Sequence, residues 1–392
     1  MQFTVVAARP SRITTRQIVG VDAIRCLAAV LVMIFHFSFW IWAGEAYHPG
    51  LGTPPPGYAW LAPFTSFGWV GVQIFFVISG FVIVYSAGDV TPFRFFRSRF
   101  LRLVPAAWIC SSITMAALLI SGTGYTTIGQ LAKSWLKAVI FYPFPGWIDN
   151  AYWTLGIELG FYAVVFAVIA SGMSNRIFRV VGLIGLISSA FWILAFAAES
   201  TFGTIDSLPR AAIFRVTDLL LLHHGCFFAL GAFLCLAKYR RLSGLELGCT
   251  LVFVIGGLLE IRYVAHVVDN LSGVHQPAIM SMLTWFVGIA AIVASIRWNN
   301  VLAGFGPRFV NIMRLIGLMT YPLYLLHQFV GYVIIDTMRQ YVSDSAALVI
   351  AIAVCLFLAF VVSRYLEPAV RTILATWLTR VHTGAIGITE RA

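Results

Sequence analysis

The sequence predicts an all-α integral membrane protein, a bundle of about ten transmembrane helices with both termini cytoplasmic. Three observations predict it. Of 392 residues, 60% are hydrophobic and 10% charged, where a soluble domain carries about 25% charged residues. The apolar residues come in runs of roughly 20, the length of a membrane-crossing helix rather than the weak alternation of a barrel. The basic residues cluster between alternate runs.

The expected spans are, approximately, 21–43, 66–87, 104–121, 153–171, 178–198, 217–237, 246–267, 277–296, 314–335 and 346–364. A further apolar stretch, 134–148, contains Pro143, Pro145 and Gly146 and reads as re-entrant or interfacial. His48–Gly57, HPGLGTPPPG, reads as a rigid loop. With a cytoplasmic N-terminus, 19 lysines and arginines fall inside and 6 outside, and Arg25 lies within the first span. That split sets both direction and count. Residues 1–18 are then a cytoplasmic arm, 19–371 the membrane domain and 372–392 a cytoplasmic tail.

The net charge of +11 does not indicate a nucleic-acid partner, because it sits in loops as the positive-inside rule requires. The six cysteines form no C-x-x-C pair or spaced ligand set, so neither a metal nor a disulfide framework is expected. The N-terminus lacks a signal-peptide core and cleavage site.

Arg25 and His36 stand eleven residues apart in the first apolar run. At ~100° and ~1.5 Å per residue they share one helix face, about 16 Å apart along the axis. Ionisable groups within a membrane helix indicate function by default. The competing reading is a snorkelling arginine and a satisfied core histidine. Span direction puts Arg25 near the cytoplasmic face, and His36, Glu158 and His327 at similar depth in the outer half. Glu158 has no Lys or Arg within a turn and needs a proton or a partner on another helix; Tyr162 shares its face.

Phe93–Trp108 carries four arginines before the third span, with Arg99 and Arg102 three apart on one helix face. Such arginines suit phosphates, which accept bidentate hydrogen bonds; an ordinary positive-inside loop is the alternative. Ser79-Gly80 reads as close helix packing. Tyr321, Tyr324 and His327 form a stripe that packing alone explains for the tyrosines but less well for His327. Glu367-Pro368 with Arg371 reads as a helix stop and ion pair.

Five motifs in order resemble the acyltransferase-3 family of integral membrane acyltransferases. They are Arg25/His36, the F-F-V-I-S-G-F segment Phe75–Phe81, the arginine run Arg99–Pro105, the W-T-L-x-x-E segment Trp153–Tyr162 and the Y-P-x-Y-L-x-H segment Tyr321–His327. The resemblance covers roughly Val19 to Arg371. Two departures stand out: Leu159 and Gly160 replace the usual polar or acidic residues after the glutamate, and the extracytoplasmic hydrolase-like domain some relatives carry is not expected here.

The resemblance implies an O-acyltransferase, of the O-acetyltransferase type. Acetyl-CoA would be the donor substrate, with no metal. The acceptor would be a hydroxyl of a cell-surface or lipid-linked glycan, in a multi-pass protein of a bacterial-type inner membrane among its lipids. His36 would act as general base or carry the acyl group itself, with Glu158 and His327 in support. Arg25, Arg99 and Arg102 would hold the donor, and Trp153, Tyr162 and Tyr324 the substrate. A proton-coupled transporter of a glycolipid or small solute is the alternative, since buried His, Glu and Arg also build proton relays; the absence of similarity between the two halves counts against it.

Overall fold

A computed structural model describes residues 17–43, 56–88, 90–122, 127–202 and 211–389. Among them the structure is helical, with no strand. Thirteen helices organise it: α1 Val19–Phe35, α2 Gly71–Ser86, α3 Pro92–Ser121, α4 Ile128–Val139, α5 Trp153–Ala170, α6 Ile177–Phe202, α7 Ala211–Leu219, α8 Gly225–Tyr239, α9 Gly244–Ser272, α10 Ala278–Arg297, α11 Pro307–Met338, α12 Asp344–Val361 and α13 Glu367–Thr389. Nine helical segments are long and apolar enough to cross a membrane, and α8 is a shorter apolar helix. All ten expected spans are therefore helical, the sixth shorter than expected.

Lipid offers no hydrophobic drive for helices to associate, so close backbone approach matters most. The α2–α8 contact illustrates it. A methyl group on Gly80 would sit 2.1 Å from the Phe228 carbonyl oxygen, and one on Gly231 would sit 1.9 Å from that of Val77. Ser79-Gly80 is thus a packing seam, as its sequence suggests. Around this pair stand α6 and α9; on the other side α11 packs against α1, α3 and α12.

Three segments differ from expectation. The arginine run does not precede the third span but forms the first turns of α3. Thr91 caps that helix by accepting the Arg94 N–H at 3.3 Å, and Pro92 starts it where no N–H is needed. Thirty residues make α3 about 45 Å long, well beyond a hydrocarbon core of about 30 Å. Glu367-Pro368 does not stop a helix. Pro368 sits inside one uninterrupted helical run from Asp344, directly after a five-residue π segment, Val362–Leu366, whose wider turn accommodates the missing N–H and the ring. The chain consequently stays helical across residue 372 to Thr389. The 134–148 stretch is the end of α4, an amphipathic helix, followed by a looped segment that turns at Phe141 (φ 55°) and Gly146 (φ 100°). Most of His48–Gly57 lies outside the described residues; a 3-10 turn begins at Pro56.

Pro105 has a positive use. Inside α3 it cannot bond the Leu101 carbonyl, and Arg371 Nε from α13 donates to that oxygen instead, at 3.1 Å. Arg371 also pairs with Glu367 at 2.5 Å. The proline thereby ties α13 to the arginine end of α3.

Candidate active site

At that end lies a cavity of about 650 Å³. Six arginines line it: Arg25 from α1, Arg94, Arg97, Arg99 and Arg102 from α3, and Arg371 from α13. Glu158 is the one acid in the lining. Its Oε1 accepts the Tyr162 hydroxyl at 2.5 Å, the i+4 pairing expected from sequence. Arg99 stacks over the Tyr162 and Phe95 rings, 5.6 Å from each centroid, and donates to Ser86 Oγ at 2.8 Å. Arg102 stacks over Tyr321 at 5.7 Å.

The arginines are under-satisfied. Arg97 Nε, Arg99 Nε and Arg102 Nη2 are buried without a hydrogen-bond partner. A buried donor on a charged group with nothing to bond is costly. Six guanidinium groups line one space with Glu158, and only Arg371 among them has a further carboxylate partner, Glu367; such an excess of positive charge suits a multiply charged anion, and phosphate oxygens match the guanidinium fork.

A narrow cleft of about 60 Å³ continues from this cavity, sharing Arg25, Ser79 and Glu158 with it and ending among Phe75, Thr154 and Tyr324. The Tyr324 ring lies 5.7 Å from the fully buried His327 ring. His327 Nε2 is in turn 3.0 Å from His36 Nδ1. The two histidines named from sequence therefore meet directly, behind Tyr324 at the end of the cleft away from Arg99 and Arg102; neither lines the cleft itself. Immediately after α1, residues His36–Trp40 form a π turn, a local widening frequent at functional sites.

Hydrogen-bond logic fixes the tautomers. His327 Nδ1 faces the Tyr324 carbonyl at 2.8 Å, and His36 Nδ1 faces the Val32 carbonyl at 2.9 Å. Carbonyls only accept, so both Nδ1 atoms carry hydrogen. His327 Nε2 is then an acceptor, and His36 Nδ1–H donates to it as well as to Val32. The lone pair of His36 is consequently at Nε2, the nitrogen a base or nucleophile would use.

Glu158 is not level with the histidines. Asp149, fully buried before α5, accepts the backbone N–H of Phe329 at 3.0 Å and that of Ala151 at 2.8 Å. The start of α5 is thus sunk to the level of Phe329, two residues past His327. Nine further residues carry Glu158 about 13 Å deeper, to the arginines. The sequence argument measured depth from a surface that α5 does not reach. Trp153 also sits apart from both cavities: its ring lies 5.9 Å from that of His224 and 6.4 Å from that of Phe76. Tyr162 and Tyr324 line the cavity and cleft respectively.

The profile of the acyltransferase-3 family, described as an acyltransferase domain, matches residues 18–364. This chain belongs to that family. Nodulation protein 10 of Rhizobium leguminosarum bv. viciae is 32% identical over 161 residues, 36% of this chain and 41% of that protein. Exopolysaccharide production protein ExoZ of Rhizobium meliloti (strain 1021) is 32% identical over 108 residues, 25% of this chain and 33% of that protein. The matched stretches thus span less than half of each relative. No solved structure matches the chain.

As a member of this family the chain carries polar features that sequence reasoning missed. Arg94, Arg97 and Arg371 join the cavity lining; their signal was present, as arginines three residues apart in α3 and the Glu367/Arg371 pair. A second buried cluster joins α2, α7, α8 and α9. His223 Nδ1 lies 2.7 Å from Asp218 Oδ1, and His224 lies 3.4 Å from Asp218 and 3.3 Å from Glu260. Gln73 donates to Glu260 at 3.2 Å, and Arg215 reaches Asp218 at 3.9 Å. Arg215 also donates to the Pro143 and Trp153 carbonyls at 2.7 and 2.8 Å. The signal was the His-His pair and Glu260 within apolar runs.

This cluster explains one departure from the family pattern. A methyl on Gly160 would lie 2.5 Å from the Leu219 carbonyl oxygen, and one on Gly156 would lie 2.7 Å from Arg215 Nη2. Small residues at these positions let α7 lie against α5. A polar side chain at 160 would push it away.

Proposed function

We propose that this protein is a membrane O-acyltransferase that moves a short acyl group, of acetyl type, from cytoplasmic acyl-CoA to a hydroxyl of a cell-surface or lipid-linked glycan. The observation that carries the reading is the order of parts: unpartnered buried guanidinium nitrogens, a cleft that reaches Tyr324, and the paired histidines behind that ring. A CoA molecule has matching parts in the same order: anionic phosphates, then a slender pantetheine arm, then the thioester. The names of the relatives, a nodulation and an exopolysaccharide production protein, support a glycan-directed role. The basic-residue split supports placing the arginine end in the cytoplasm of a bacterial-type inner membrane.

In this reading the phosphates lie among Arg99, Arg102 and their neighbours, and Arg25 marks the mouth of the cleft. Glu158 stays with the arginines, balancing part of their charge and fixing Tyr162. His36 Nε2 takes the proton of the acceptor hydroxyl as its oxygen attacks the thioester carbonyl. The carbon–sulfur bond then breaks, and the imidazolium returns the proton to the departing thiolate. The products are the acyl ester and free CoA thiol. His327 holds the imidazole so that Nε2 is the basic nitrogen. Family membership favours this over a proton-coupled transporter.

The test is whether purified protein, given acetyl-CoA labelled in the acetyl group and a membrane glycan fraction, releases CoA thiol and labels the glycan in equal amounts. Label that stays entirely in acetyl-CoA would contradict the reading.

A further inference from the structure

The large cavity opens into a second space that the family profile does not reach. Beyond Arg97, Leu101 and Arg371, which the two share, a surface groove of about 540 Å³ runs along α13. Its α13 side is Arg371, Thr372, Ala375, Thr376, Thr379 and Arg380. Apart from Arg97 and Leu101 of α3, the groove is built wholly from residues past 364, where the family match ends.

The chemistry of the groove is specific. Arg97, Arg371 and Arg380 line it, and among the described residues no acid does, although Arg371 is paired with Glu367. The threonine hydroxyls donate back to their own helix: Thr372 to the Pro368 carbonyl at 2.9 Å, Thr376 to that of Thr372 at 3.0 Å, and Thr379 to that of Ala375 at 2.8 Å. Having spent their hydrogens, these oxygens present lone pairs and methyl groups. They suit hydrogen-bond donors on a flat, partly apolar group, and leave anion recognition to the arginines.

We propose that this groove binds the 3′-phosphoadenosine end of the acyl-CoA donor, and that Arg380 reads its 3′-phosphate. The inference rests on the acyl-CoA reading above. The order of parts along the donor requires it. With the pantetheine arm in the cleft and the pyrophosphate in the arginine cavity, the nucleoside must trail from the cavity on the side away from the histidines. The α13 groove adjoins the cavity through Arg97 and Arg371. Adenine and ribose donors face the threonine oxygens, and the 3′-phosphate meets a guanidinium group. The consequence is a donor preference: CoA over carriers that offer only phosphopantetheine.

The test measures binding of CoA and of 3′-dephospho-CoA to the full chain in phosphatidylcholine nanodiscs, alongside acetyl transfer. One charge-assisted phosphate contact should favour CoA by about tenfold or more. Arg380→Ala should bring the two ligands to near equality, and Arg380→Lys should restore part of the gap, keeping charge but losing the fork. Arg380 is exposed, so folding should survive the change. Equal binding of the two ligands by the unaltered protein, or an Arg380→Ala variant that weakens both alike, would overturn the assignment. So would a preference that disappears only in phosphatidylglycerol nanodiscs, which would give the groove to a lipid headgroup phosphate. Selective CoA binding without acetyl transfer would sink the transfer reading and leave the groove standing. No CoA binding at all would sink both.

Discussion

Two buried polar regions share this bundle, and they are opposites. Around Asp218, His224 and Glu260, each carboxylate has a histidine within 4 Å, and Arg215 shares Asp218. Around Arg102, six arginines meet one acid, and three guanidinium nitrogens have no partner. The first region joins four helices and sets each of its charges beside an opposite one, although among the described residues His224 Nδ1 and Gln73 Oε1 make no hydrogen bond of their own. The second carries more positive charge than Glu158 and the Glu367 paired with Arg371 can match. An ionisable group in a membrane helix is a prompt to look for function; what separates these two regions is whether positive and negative groups balance within the cluster.

That contrast is broken most easily from the scaffold side. Glu260 is fully buried, so Glu260→Ala leaves Gln73 without its acceptor and His224 with Asp218 as its one remaining carboxylate. Losing one partner of such a pair costs roughly 3–5 kcal/mol. Thermal unfolding in detergent should show a large drop in midpoint, with CoA affinity preserved in the fraction that stays folded. An unchanged midpoint with lost transfer would move this cluster into the reaction path.

On the site side the effect should reverse. Arg102→Ala removes one of several crowded positive charges, so the unfolding midpoint should hold or rise. CoA affinity should fall by about ten- to a hundredfold, the worth of a charge-assisted contact of about 1.5–3 kcal/mol. Unchanged CoA affinity would return the arginine run to an ordinary positive-inside helix end.

The fold class was legible because composition and run length suffice for it: ten apolar runs became ten helices. Boundaries were less legible where the chain breaks the usual punctuation. Pro92 opens a helix, Pro368 sits within one, and Glu367-Pro368 read as a stop because the π turn upstream leaves no sequence mark. Arg25 lines both cavity and cleft, whereas His36, placed on the same helix face by phase, lines neither and meets His327 instead. Glu158 was misplaced in depth because Asp149, which sinks the start of α5, makes its contact with Phe329, 180 residues away. The α13 groove was hidden for the same reason: the Leu101 carbonyl freed by Pro105 is met by a side chain 270 residues later.

A smaller effect sharpens the histidine end. His327→Phe removes one of the two acceptors of His36 Nδ1–H, leaving the Val32 carbonyl, while keeping a ring in place. Turnover should fall by about ten- to a hundredfold, typical of losing an orienting partner, with donor KM little changed. In the unaltered protein, activity should decline on acidification, because a protonated Nε2 cannot take the hydroxyl proton. That acid limb should persist in His327→Phe. If it vanished, His327 would be the titrating base and the two roles would be exchanged.

The measurement that bears most directly on the central claim compares His36→Ala with the unaltered protein, both folded, for CoA binding and for transfer of labelled acetyl from acetyl-CoA to a membrane glycan fraction. The account predicts that CoA still binds, since His36 lies behind Tyr324, at the end of the cleft away from Arg99 and Arg102, and that transfer falls by about a hundredfold or more. Transfer by His36→Ala at close to the unaltered rate would contradict it.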